Sequence, residues 1–359
     1  MRILVTERME VTKGVRLLSV LGGIVLAFAI ISGVLGAKGF PVLEVWARLV
    51  TGAFGSGYSL RSTLIRAVPL AITATGILFA FRMKFWNIGG EGQILMGAFA
   101  ATGFALFCPN LPKPVLLTVM LLAGFAAGGA WSFLAGWLKH RRGLNETIVT
   151  LMLNYVALQW VTFLQYRLWR DKTGLNFPKI PIFGDSAILP DFLGIHLGFW
   201  IMIAIVLLTT VVFFSTKTGF KMRIIGESPE TARYLKIRTG PILLGMVFLS
   251  GGICGIAGMI QASAVNNTLN VSIAGGAGFT AIIIAWLSAL NPPLCLVVSV
   301  LFAGLIEGAS SIQMAFQIPE TVASLMQGII LFCVIACDFF TRYSIRIART
   351  ETERMEAKA

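Results

Sequence analysis

The run Leu17–Ala37 holds no charged side chain, and stretches like it recur along the chain. A helix needs about 20 mostly apolar residues to cross the hydrocarbon of a bilayer. Further apolar runs lie near 63–81, 93–108, 115–138, 147–169, 197–215, 241–262, 278–290, 294–312 and 321–340. The first run exceeds the roughly 7–15 residues of a signal-peptide core and reads as an anchor that stays. The run at 278–290 is short and reads as a half-span or re-entrant element. Composition agrees: of 359 residues, 57% are hydrophobic and 13% charged, with mean hydropathy +0.84. Soluble domains run about 45–50% apolar and about 25% charged. Too few charges remain to clothe a water-facing surface, which disfavours a soluble enzyme, a nucleic-acid-binding protein and a disordered chain. The expected fold class is an all-α polytopic membrane protein of about ten transmembrane helices, with residues 1–359 forming a single transmembrane domain.

The net charge of +13 is informative through its placement. With the N-terminus inside and ten alternating spans, the inner segments hold Arg2, Arg8, Lys13 and Arg16, then Arg82 and Lys84, then Lys139, Arg141 and Arg142. They also hold six basic residues in 216–240 and five after Asp338. These are 20 of the 29 Lys and Arg. Lys and Arg collect in cytoplasmic loops, so both termini are expected in the cytoplasm.

The chain carries 38 glycines. Gly124/Gly128, Gly251/Gly255 and Gly304/Gly308 are spaced four apart within spans, a pattern that lets helix backbones approach closely in lipid. The five cysteines, Cys108, Cys254, Cys295, Cys333 and Cys337, lie in or beside apolar runs without a paired spacing and read as buried thiols. His140 and His196 fall in loops predicted on opposite sides, so they cannot share a site. The chain has no GxxxxGK[ST] phosphate loop and no visible Ser/His/Asp or metal-ligand set. Neither catalysis nor a cofactor is expected.

The densest polar stretch between spans is Phe85–Gln93. Gly89, Gly90 and Gly92 disfavour continuous helix, and Asn87, Glu91 and Gln93 supply donors and acceptors. Irregular backbone near membrane depth survives only where protein or a water-filled cavity satisfies it. The stretch therefore reads either as a pathway-lining element or as a turn with an exposed Glu91. A second cluster is Gly143–Thr147, followed by Thr150, Asn154 and Gln165 on one helical face. Asn145, Glu146 and Asn154 are candidates for the solute pathway, and an interhelical hydrogen-bond seam is the competing reading. Glu307 stands in an apolar span, where a carboxylate must pair, protonate or face water. Asn266, Asn267 and Asn270 precede a glycine-rich stretch and suit either solute contact or a turn.

The segment 216–240 is basic and polar. Ser228 suits an N-cap, Pro229 the first helical position and Glu230 the first turn. A short helix over about 229–237 is predicted, with Ala232 and Leu235 three apart.

Four ordered blocks resemble a known family. Asn87-Ile88-Gly89-Gly90-Glu91-Gly92-Gln93 is similar to the NIGxEGQ signature of ABC-transporter permeases of the branched-chain amino acid and simple-sugar class. The likeness is to the subgroup that takes up nucleosides with a basic-membrane-protein lipoprotein as receptor. Asn145–Tyr155 resembles a second stretch of that subgroup, Gly226–Ile237 its G-x-(N/S)-P-x-(A/T)-A-x-Y-x-x-I segment, and Gly278–Ile282 with Asn291-Pro292 a fourth. Trp86 stands where Phe is usual, and Gly90 where Ala is usual. The GGIDLSVG-like stretch frequent in sugar permeases is absent, which favours a nucleoside over a pentose.

The resemblance implies an ATP-driven importer in a bacterial plasma membrane. A second permease subunit, ATP-binding subunits and an external substrate-binding lipoprotein would be the protein partners, with lipid as the solvent. It places Asn87, Glu91, Gln93, Asn145, Glu146 and Asn154 near the pathway. It assigns coupling to the ATPase to Ser228, Pro229, Glu230, Ala232, Arg233 and Tyr234. A simple-sugar permease, or a proton-coupled carrier titrating Glu307, are the alternatives.

Overall fold

The structure, a computed structural model, describes residues 2–7, 13–171, 178–317 and 343–348, with isolated residues between 325 and 337. The expected run 321–340 falls largely outside the described residues. The chain forms two compact units, Met1–Leu60 with Gly304–Ala359, and Arg61–Ala303.

Helices dominate. In chain order they are α1 (Lys13–Ala37), α2 (Val42–Phe54), α3 (Gly57–Phe81), α4 (Gly90–Phe107), α5 (Lys113–Arg142) and α6 (Glu146–Phe163). Then come α7 (Leu197–Ser215), α8 (Lys217–Glu227), α9 (Pro229–Tyr234), α10 (Thr239–Ile260), α11 (Ala277–Leu287) and α12 (Pro292–Phe316). Among the described residues, six helices are long and apolar enough to cross a membrane: Gly57–Phe81, Lys113–Arg142, Glu146–Leu168, Leu197–Ser215, Thr239–Asn266 and Pro292–Phe316. Among the described residues two short antiparallel strand pairs accompany them. β1 (Arg2–Glu7) pairs with β4 (Tyr343–Ala348), and β2 (Asp191–Phe192) with β3 (Ile195–His196).

The larger unit is organised around α3, α4, α5 and α10. Every residue of α3 from Ala67 to Phe81 is buried, as an apolar-all-round helix must be in a bundle centre. The spaced glycines of α5 and α10 meet each other and Gly97 of α4. A Cβ on Gly255 would lie 2.1 Å from the Gly124 carbonyl oxygen, and one on Gly97 2.3 Å from the Gly255 Cα. Contacts that close exclude any side chain, so the three backbones touch directly. In lipid, association rests on this packing rather than on hydrophobic exclusion.

α11 has only 11 residues, about 16 Å of helix, short of a span. α5 ends on Gly143 in the left-handed region (φ 66). Asn145 then caps α6, accepting from the backbone N–H groups of Thr147 and Ile148. The tight turn sends α6 back alongside α5.

In the smaller unit, α2 was not foreseen. It carries Glu44 and Arg48 in 13 residues, too few and too charged for a span. Its buried face of Val45, Leu49 and Ala53 packs on the end of α12. A Cβ on Gly308 would meet the Leu49 carbonyl oxygen at 2.4 Å. Ser32 on α1 accepts from the Trp46 indole N–H at 2.9 Å.

Candidate functional site

The turn between α3 and α4 is a knot of reciprocal amide bonds. Asn87 is fully buried. Its Nδ2 donates to Gln93 Oε1 (3.2 Å), and Gln93 Nε2 returns a bond to Asn87 Oδ1 (2.8 Å). Asn87 Nδ2 also donates to Ser250 Oγ of α10 at 3.1 Å, and Asn87 Oδ1 accepts from the Gly89 N–H at 3.0 Å. Asn154 on α6 clamps the backbone from the other side. Its Oδ1 accepts from the Gly92 N–H and its Nδ2 donates to the Ile88 carbonyl, both at 2.9 Å. Thr150 Oγ1 accepts from the Ile88 N–H at 3.2 Å. Buried amides are costly unless paired, and here the non-helical backbone and the side chains satisfy one another.

Glu91 completes the knot. Its two carboxylate oxygens accept from the backbone N–H groups of Gly276 (2.9 Å) and Gly278 (2.8 Å). These donors form the first turn of α11, whose N-cap Gly276 offers no side chain. A helix N-terminus attracts an anion, and the chain supplies one from α4. The approach requires glycine at 278, where a Cβ would sit 2.2 Å from the Glu91 nitrogen.

Of the six sequence-predicted pathway residues, the structure brings Asn87, Glu91, Gln93 and Asn154 together. Glu91 makes directed bonds instead of standing exposed in a turn. Asn145 is the exposed cap of α6, and Glu146 pairs with Lys139 at the end of α5. The Lys139 ammonium also lies 5.2 Å from the centroid of the Phe85 ring. Sequence reasoning marked Gly278 only as the start of a resembling block and missed its bond to Glu91, as it missed Ser250 and Gly276. Nothing in a glycine-rich apolar run marks which hydroxyl or amide will meet a side chain from a distant element.

At the other end of α6 and α10, both helices finish in a π-helical turn, Leu164–Leu168 and Gln261–Asn266. Such turns frequently mark functional sites. They tie down the segment 178–190. Gln165 donates to the Pro178 carbonyl (3.0 Å) and accepts from the Val271 N–H (3.1 Å). Ser263 Oγ accepts from the Leu189 N–H at 3.1 Å. Asn266 donates to the Gln261 carbonyl and accepts from Asn270, while the Asn267 carbonyl accepts from the Phe183 N–H. The three asparagines therefore sit in a fastened loop.

The basic segment holds two helices where one was expected. α8 buries Gly219, Met222, Ile225 and Gly226. A Cβ on Gly226 would fall 2.0 Å from the Arg82 carbonyl oxygen, so the end of α8 lies directly on the end of α3. Ser228 then caps α9, its Oγ accepting from the Thr231 N–H at 3.2 Å. The helix stops at Tyr234 instead of reaching 237. Ile237 N–H donates to the Ala232 carbonyl and Lys236 N–H to the Arg233 carbonyl, the paired closure of a Schellman motif. Lys236 takes the left-handed position (φ 54) that glycine usually fills, which hid the stop from a sequence reading. Ala232 is fully buried, Tyr234 is 87% exposed, and Pro229, Glu230 and Arg233 also face outward. The result is a short capped knob between α8 and α10.

The family described as the permease component of branched-chain amino acid transport systems matches residues 59–335. The chain belongs to this family. It is a multi-pass ABC-transporter permease and not an enzyme. The permease is 31% identical over 346 residues to a glucose ABC transporter permease protein of Haloferax volcanii, covering 87% of this chain and 90% of that protein. It is 28% identical over 319 residues to a guanosine ABC transporter permease protein of Bacillus subtilis, with 87% and 90% covered. A nucleoside ABC transporter permease protein of Lactococcus lactis is 26% identical over 325 residues, with 87% and 89% covered. All the residues of the buried knot and of the knob lie within the matched span.

Proposed function

We propose that this permease is one half of a translocation pair in an ATP-driven importer of a neutral, ring-bearing solute, a nucleoside first. It works with cytoplasmic ATP-binding subunits, a second permease subunit and an external binding lipoprotein, in a bacterial plasma membrane. The observation that carries the coupled reading is the α9 knob. It is capped at both ends, presents Pro229, Glu230, Arg233 and Tyr234 outward, and follows directly from a helix seated on α3. A push on Tyr234 therefore has a short, stiff route into the buried bundle.

Ten crossings with both termini in the cytoplasm are supported by the basic-residue distribution and by the β1–β4 pairing. Strands that pair must lie on one side of the membrane, which requires an even number of crossings. Residues 1–359 then act as one transmembrane domain, with 216–240 as its cytoplasmic coupling loop.

In this reading Asn87, Glu91, Gln93 and Asn154 set the walls of the pathway without gripping the solute themselves, and Asn145 and Glu146 fix the start of α6. The helix dipole of α11, which would otherwise favour an anionic solute, is already occupied by Glu91. That arrangement supports an uncharged cargo. On the outward face of α6, Gln159 stands exposed beside Tyr155 and Trp160. A polar side chain on a span favours a partner or an aqueous path over lipid, so this face is assigned to the second permease subunit.

A simple sugar is the second reading, favoured by the identity to the glucose permease protein. Uptake of radiolabelled guanosine, ribose and glucose by the complete transporter in a transport-null host decides between them. Nucleoside uptake that competing sugars leave unchanged is expected, and sugar uptake alone would overturn the first reading. Uptake that survives replacement of Ser228–Ile237 by a Gly-Ser linker would overturn the coupling assignment.

A further inference from the structure

The ends of α3, α8 and α11 line a half-open cavity of about 440 Å³, within the range of small-ligand sites. One wall is aromatic. The rings of Trp86 and Trp286 stack with centroids 5.3 Å apart and planes 19° from parallel, and Trp86 is 41% exposed. The rest of the lining is short of negative charge. Arg82, Lys84 and Arg223 contribute three cations against the one carboxylate of Glu227, and Arg223 Nε already holds that carboxylate at 2.8 Å.

Arg82 sits over the Phe213 ring at 5.1 Å and donates one bond, at 3.4 Å, to the Leu290 carbonyl. Among the described residues it has no ion pair. A guanidinium has five donors in a fork that matches phosphate oxygens. Burial, and then the neighbouring Arg223, hold the Arg82 pKa below its ordinary value against the opposing pull of Glu227.

We propose that this cavity binds a phosphate ester, with Arg82, Arg223 and Lys84 on the phosphate and the Trp86–Trp286 wall against the apolar or planar body. Two sources share that chemistry. Tryptophans and basic side chains at the ends of membrane helices suit the headgroup of an anionic phospholipid. A soluble nucleoside monophosphate presents the same phosphate beside a flat ring. The cavity binds this phosphate whichever solute the transporter carries.

The test uses the purified full-length permease in phosphatidylcholine nanodiscs. In one arm phosphatidylglycerol is titrated in and the retained lipid is counted by native mass spectrometry. In the other, guanosine monophosphate binding is measured by equilibrium dialysis. At least one probe is expected to bind, and the arm that responds identifies the source. Binding is expected to weaken about tenfold or more in Arg82→Gln and less in Arg82→Lys, which keeps the charge without the fork. It is expected to be unchanged in Lys217→Gln, outside the cavity. Should Arg82→Gln fold poorly, Arg223→Gln and Trp286→Phe carry the comparison. The proposal is overturned if neither probe binds, or if binding is the same in wild type, Arg82→Gln and Arg223→Gln.

Discussion

Replacing Glu91 by alanine removes both acceptors from the first turn of α11 at once. The Gly276 and Gly278 N–H groups, now held at 2.9 and 2.8 Å, are left in a partly buried site with no cap residue of their own. Hydrogen bonds to a charged group contribute about 1.5–3 kcal/mol each. Water reaches this site in part, which favours the lower end. Loss of the charge at the helix N-terminus adds roughly 0.3–1 kcal/mol. The expected local destabilisation is about 3–4 kcal/mol.

Since 1.4 kcal/mol is a factor of ten, amide exchange in the first turn of α11 should quicken on the order of 100- to 1,000-fold. Glu91→Gln retains one acceptor, and its increase should be nearer 10- to 30-fold. The assay is hydrogen exchange followed by mass spectrometry on peptides spanning Ala274–Thr280, in detergent-purified permease, with peptides from α5 as the internal reference. Exchange in Glu91→Ala within about threefold of wild type would refute the capping assignment, because so small a change corresponds to well under 1 kcal/mol.

Further expectations follow from the same geometry. Gly255→Leu forces side-chain atoms into the space now filled by the Gly124 carbonyl, so size-exclusion profiles should show loss of folded permease, whereas Gly245→Ala, with open space around it, should elute as wild type. Gly226→Ala pushes α8 off the Arg82 carbonyl, so solute uptake should fall at least tenfold while the permease stays in the membrane at normal levels. Ser228→Ala removes the α9 cap and should cost about 1 kcal/mol of local helix stability, read as a partial loss of uptake that Ser228→Asp restores. His196 is buried with neither ring nitrogen partnered among the described residues, and burial lowers its pKa. The fold then binds the proton less well than the unfolded chain. Stability should be full above the ordinary histidine range and decline as pH falls through about 6.5 towards the lowered value. His196→Phe should flatten the pH dependence of the melting midpoint.

Among the described residues six of the expected ten spans were legible, because twenty apolar residues in a row have few other uses, and the glycine pairs because their spacing has one mechanical consequence in lipid. The capping signature of Ser228, Pro229 and Glu230 correctly placed the start of α9. Its end depended on Lys236 accepting a left-handed conformation, which no local preference announces. α2 and α8 escaped notice because neither is long nor uniformly apolar. Each is identified only by the backbone it rests on, Gly308 for one and the end of α3 for the other. In the candidate site, the sequence marked Asn87, Glu91, Gln93 and Asn154 as unusual. It could not say that their partners would be Ser250, Gly276 and Gly278, more than a hundred residues away in most cases. Hydrogen-bond pairing across that distance is a property of the assembled bundle.

The backbone-to-backbone contacts at Gly97, Gly124, Gly128 and Gly255 in the seam among α4, α5 and α10 also limit how an alternating-access cycle can run. Where carbonyl oxygens and α-carbons meet directly at these glycines, no change of rotamer in the flanking Ser132, Phe125 or Phe248 side chains relieves the contact. Sliding one past another by even a fraction of a turn would drive Gly124, Gly251 and Gly255 into collision. These three helices must therefore travel together as a fixed block. The bending belongs to places where the chain can change direction cheaply, such as the turn at Gly143 and the paired left-handed glycines at 275 and 276.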